Sequence, residues 1–175
     1  KLSDAERTQN KDLERANSIK EKDKPLVNNI YTADPSAHVF EGKIYIYPSH
    51  DIETDTETND NGDQFAMRDY HVLSMHDPSS ETTDHGIVLS IEDIPWAKKQ
   101  LWAPDAAHKN GKYYLYFPAR DHEDIFRIGV AVSNSPSGPF IAEENYIEGT
   151  YSIDPAVFES NDGSYYLYWG GIWGG

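Results

Sequence analysis

Three aspartates in this chain stand beside prolines, each just ahead of a short apolar or aromatic run: Asp34 in TADPSAHVF, Asp105 in LWAPDAAH and Asp154 in SIDPAVF. Met once, an acid next to proline is ordinary turn chemistry, the carboxylate capping its own backbone. Asp77, in MHDPSS, fits that description. Three acids on one template suggest different chemistry. Carboxylates gathered in one cleft repel one another, so at least one pKa should rise, and such a group suits acid–base hydrolysis or cation binding. Trp102 directly precedes Ala-Pro-Asp, which puts an indole at the rim where Asp105 sits. A flat apolar ring beside carboxylates matches a sugar, whose C–H face needs the ring and whose hydroxyls need acceptors. A place in the core is the competing reading for Trp102 and the favoured one for Trp96.

The elements that must position these residues repeat. ADPSAHVFEGKIYIYPS (33–49), APDAAHKNGKYYLYFPA (103–119) and IDPAVFESNDGSYYLYWG (153–170) align with one another. Each runs from acid and proline through a short strand and a glycine-containing turn into a Tyr-x-Tyr strand, with pairs Tyr45/Tyr47, Tyr114/Tyr116 and Tyr166/Tyr168. Asp34 to Asp105 is 71 positions and Asp105 to Asp154 is 49. Without the acidic insert DIETDTETNDNGDQ (51–64) the period is about 50–60 residues, long enough for one blade. DYHVLSM (69–75), GIVLS (86–90) and FRIGVAVS (126–133) supply further strands by their alternation and their Tyr, Val and Ile content. About four strands per unit is the make-up of a β-propeller blade, and a propeller needs roughly four to eight. The predicted fold is therefore all-β, two blades and the beginning of a third, with a β-sandwich as the competing architecture. Equivalent positions on successive blades would bring Asp34, Asp105 and Asp154 together near the axis.

Bulk properties narrow the partners. The 175 residues carry a net charge of −15 and a mean hydropathy of −0.71. That charge argues against nucleic acid or an anionic membrane surface. There is no cysteine, which excludes disulfides, thiolate zinc and cysteine nucleophiles. The seven histidines form no HExxH motif, which argues against zinc. The insert 51–64 fails the EF-hand pattern: counted from Glu57, Gly62 falls at the glycine position but Arg68 stands where the bidentate acid belongs. It reads as a solvated acidic loop. Residues 1–24, with alternating charges and few large apolar side chains, read as a frayed helix or linker ahead of a domain at 25–175.

Across residues 25–175 the chain resembles glycoside hydrolase family 43. The match rests on TADPSAHVFEGKIYIY, RDYHVLSMHDPSSETTDHGIVL, QLWAPDAAHKNGKYYLYF, IGVAVSNSPSGPF and YSIDPAVFESNDGSYYLYWGG in the family's order. The resemblance implies a five-bladed propeller and an inverting hydrolase of arabinose- or xylose-containing polysaccharides, with Asp34 as general base. It implies that Asp154 orients the general acid and raises its pKa. That acid is a glutamate with no counterpart before Gly175. Asp105 and Trp102 match the sugar-binding pocket. No cofactor is implied for the chemistry, although members can hold a structural calcium ion on the propeller axis, and no ligands for it are assigned here. The expected partner is a plant-type polysaccharide or oligosaccharide. The expected location is periplasmic or secreted, inferred from such a substrate. Arabinofuranosidase, β-xylosidase and endo-xylanase all remain open, as do a fructan hydrolase and a non-catalytic propeller that binds glycan or protein.

Overall fold

The computed structural model describes residues 24–171, so the charged segment expected over 1–24 lies outside them but for Lys24. Strands dominate, and the only helical piece among the described residues is a 3₁₀ turn at Ile91–Asp93. The first sheet runs β1 (Tyr31–Phe40), β2 (Lys43–Asp51), β3 (Asp69–Met75), β4 (Thr83–Ser90), antiparallel and in chain order. The second contains β5 (Ala97–Lys99), β6 (Asp105–Lys109), β7 (Lys112–Asp121), β8 (Phe126–Ser133) and β9 (Ile141–Ala142). In it β6 and β5 share one edge of β7, at its two ends. A last hairpin, β10 (Ile153–Glu159) and β11 (Tyr165–Gly170), opens a third unit. These are the two blades and a beginning that the repeats predict.

Local chemistry explains the hairpins. Glu41-Gly42 and Asn110-Gly111 join first and second strands with positive φ at both positions, the backbone of a tight turn whose twist matches its strands. Alternation then sorts the side chains: on β7, Tyr113, Leu115, Phe117 and Ala119 are buried while Lys112, Tyr114, Tyr116 and Arg120 are less so. The buried sets of the two blades face each other. Trp96 lies flat on Phe117, ring centroids 5.9 Å apart, in the core position its sequence context favours. Tyr47 reaches across to donate a 2.7 Å hydrogen bond to the Pro136 carbonyl. Burying rings of this size is the main force holding blade to blade. At the centre the first strands of the three units, β1, β6 and β10, lie side by side with β6 in the middle.

Candidate active site

Asp34 and Asp154 occupy the same place on their blades, and the backbone shows why an acid and proline belong there. In the β1–β2 ladder the register slips between Ala33 and Ser36; in β10–β11 it slips between Ile153 and Ala156. Each slip is a bulge centred on Asp-Pro. Proline has no N–H to give a ladder, so a bulge is where a strand tolerates it. The aspartates take left-handed conformations, φ +45° at Asp34 and +52° at Asp154. Aspartate reaches that region more readily than most residues, and such strain gathers at functional sites. Neither carboxylate has a hydrogen bond or ion pair among the described residues, and both line one open cavity of about 770 Å³. Burial, and then the Asp34 charge, raise the pKa of Asp154. That is the direction expected for acids sharing a cleft.

Asp105 is the exception to the predicted equivalence. It pairs with Tyr116 inside a regular ladder, just as Ser36 pairs with Tyr47 and Ala156 with Tyr168. Asp105 thus stands two positions beyond the bulge site, which blade two fills with Ala103. It lines the cavity, but both carboxylate oxygens are engaged. Oδ1 lies 2.7 Å from His38 Nε2 on β1, and Oδ2 accepts the Val157 N–H of β10 at 2.7 Å. Burial opposes its ionisation, yet the hydrogen bonds from His38 and Val157 outweigh burial and lower its pKa. Asp105 therefore ties the three inner strands together. The sequence carries the sign of this change, Asp-Pro at 34–35 and 154–155 but Pro-Asp at 104–105, which matching acid to acid passes over.

Two features are not read from the sequence. Asp51, which the sequence assigns to a solvated loop, is the last residue of β2 and lines the cavity with Asp34 and Asp154. The loop that follows is a wall. Asn59 to Gly62 and Gln64 line the cavity, and the second blade anchors them. The Gln100 amide donates to the Gly62 carbonyl at 2.8 Å, Arg120 to the Asn61 carbonyl at 2.8 Å, and Lys99 pairs with Asp63 at 2.9 Å. Trp102 lines the cavity as its position before Ala-Pro-Asp suggests, and its indole N–H donates to the Phe65 carbonyl at 2.7 Å. Its ring packs on Gly62, where a Cβ would sit 2.7 Å from the indole, and tilts against Phe126. Only glycine allows ring and loop to meet that closely. Asp77 behaves as a plain turn residue, accepting the Ser79 N–H at 2.9 Å.

Among the described residues, the group able to gather a metal ion is His50, Asp69 and His71. It lies off the cavity and is explained by its own hydrogen bonds: His50 Nδ1 to Asp69 at 2.6 Å, and His71 Nδ1 to Asp84 at 2.9 Å. Two imidazoles do not fit calcium, which takes oxygen ligands.

Antiparallel sheets whose inner strands lie side by side, with two aspartates raised on bulges over one cleft and without partners among the described residues, define part of a propeller with a carboxylate-lined site. Residues 22–175 match the family described as Glycosyl hydrolases family 43, and the chain belongs to that family. It is 71% identical over 153 residues to Xylosidase/arabinosidase 43A of Humicola insolens, covering 86% of this chain and 47% of that protein. It is 62% identical over 151 residues to a xylosidase/arabinosidase of Bacteroides ovatus, covering 86% and 46%. Among solved structures it matches CoXyl43, a GH43 beta-xylosidase/alpha-arabinofuranosidase from a compost microbial metagenome, solved with xylotriose in a calcium-free form. That match has a TM-score of 0.84 and 71% identity, covering 87% of this chain and 46% of that one. The chain thus spans a little under half the length of these relatives.

Proposed function

We propose that the complete protein is an inverting glycosidase of xylose- or arabinose-containing polysaccharides, a β-xylosidase or α-L-arabinofuranosidase. The observation that carries this reading is the pair of Asp-Pro bulges, which set two carboxylates, without partners among the described residues, along one cavity that Trp102 also lines. The names of the similar proteins support the glycan class.

Asp34 acts as general base. Its carboxylate has no partner to relinquish among the described residues, so it can take a proton from water as that water attacks the anomeric carbon. Asp154 acts on a general acid supplied by a glutamate beyond residue 175. An ionised neighbour raises the pKa of such an acid and keeps it protonated at neutral pH. Inversion requires the acid and base to stand about 6.5–9.5 Å apart, leaving space for the water. Trp102 offers the sugar an apolar face, and Asp105, already bound to His38 and Val157, shapes the pocket floor. A polymeric substrate, which lies outside the cell, supports a periplasmic or secreted location. A structural calcium ion on the axis would sit among residues other than the cluster at His50.

In the full-length protein, Asp34→Asn should fold normally and lose turnover by about a hundredfold to ten-thousandfold, as expected when a base is removed. Unchanged kcat on aryl β-D-xylosides and aryl α-L-arabinofuranosides would sink the assignment.

A further inference from the structure

Most buried and half-buried acids among the described residues have protein partners. Asp69 has His50, Asp84 has His71 and Asn29, Asp105 has His38, and Asp121 has Arg127. Asp51 differs. It is half-buried, yet its carboxyl group has no hydrogen bond or ion pair among the described residues. Alternation along β2 explains where it points. Ser49 and Asp51 stand opposite Ala33 and Tyr31 and face the cavity, whereas His50 between them turns away to Asp69. Asp51 therefore stands on the strand next to the Asp34 bulge and lines the same cavity as Asp34 and the wall at residues 59–62 and 64.

A partly desolvated carboxyl group without a hydrogen bond is destabilising, and among the described residues only the charge interaction with His50 works against that cost. A ligand hydroxyl would offset it. We propose that Asp51 is a substrate-binding residue whose carboxyl group hydrogen-bonds a hydroxyl of the sugar held between Trp102 and the two bulge aspartates. This rests on the glycosidase reading above. Burial, and then the Asp34 charge, raise the Asp51 pKa, so it can serve as acceptor or, when protonated, as donor. Sites built to hydrogen-bond a substrate hydroxyl discriminate strongly against analogues lacking it. Asp51 thus selects for a hydroxyl at one position of the pentose.

The test uses full-length protein, with wild type, Asp51→Ala, Asp51→Asn and Asp34→Asn assayed on aryl xyloside, aryl arabinofuranoside and their monodeoxy analogues. Asp51→Ala should raise KM on the order of tenfold or more with kcat changed far less, the scale of one lost charged hydrogen bond. Asp51→Asn should recover part of that loss. One monodeoxy analogue should be a poor substrate for wild type and no poorer for Asp51→Ala, because the two changes remove the same contact. Unaltered KM overturns the proposal. So does equal sensitivity of wild type and Asp51→Ala to every deoxy analogue, or a drop in melting temperature that accounts for the change. If Asp34→Asn stays active while the Asp51 coupling appears, the base assignment fails and the binding role stands. If wild type hydrolyses none of these substrates, calorimetry with xylotriose decides: Asp51→Ala should bind on the order of tenfold more weakly, and equal binding overturns the role.

Discussion

Asp105 commits one oxygen to His38 and the other to the Val157 amide, so it belongs to three strands at once. Replacing it with alanine leaves both donors without an acceptor. Asp105→Ala should therefore lower stability by about 2–4 kcal/mol, read as a shift in the urea midpoint with unchanged m-value. The pH dependence follows from its lowered pKa. A carboxyl group ionised more readily in the fold stabilises it above the unfolded-state pKa and loses that contribution as pH falls through the folded one. The tie should hold at neutral pH and weaken only below about pH 4, where wild type and Asp105→Ala should converge in stability. Asp154 is a different case, guarded by backbone rather than by partners. Gly171 has φ +99°, and a Cβ there would lie 2.9 Å from Asp154 Oδ2. Gly171→Ala should displace that carboxylate and reduce kcat by at least about tenfold in the full-length protein, with KM little changed, since such displacements cost reaction geometry. Wild-type kcat would refute it.

The loop after β2 shows what alternation and turn residues can and cannot convey. Hairpins such as β1–β2 and β6–β7 were legible because their Tyr-x-Tyr strands and Gly turns lie within about 20 residues of one another. The bulge acids were legible as a repeat. The loop was not, because its anchors are side chains from another blade donating to its backbone carbonyls, and a carbonyl has no letter in a sequence. Gln100 donates to Gly62 across 38 residues and Arg120 to Asn61 across 59. Asp51 was hidden for a related reason: it sits at the head of an acidic run and differs from its neighbours only by being the last strand residue. Gln100 is almost fully buried, 1% exposed, so its role is positional. Gln100→Met keeps the volume and removes the donor. Limited proteolysis within 51–64 should then become several-fold faster, and KM should rise while kcat holds. An unchanged cleavage rate would mean that the loop needs no such anchor.

At the scale of the molecule, the described half-ring leaves large apolar side chains in the open. Tyr166, Tyr168 and Trp169 on β11 are 49%, 60% and 42% exposed, and Tyr31 and Val39 on β1 are 72% and 71% exposed. Both strands are at sheet edges, which invite pairing with other chains. The 175-residue chain expressed alone should therefore self-associate, eluting above its 19.8 kDa mass and brightening a hydrophobic dye. A monodisperse, dye-silent monomer would contradict this.

The bond from the Val157 amide to Asp105 also sets a clock on biosynthesis. Its two ends are 52 residues apart. At about 5–20 residues per second, the ribosome delivers the donor about 3–10 s after the acceptor. Two complete blades can exist in that interval with the carboxylate between them only half satisfied. The rim of the cavity is thus among the later parts of this region to set during translation, and codons slowing synthesis between 105 and 157 would lengthen the interval.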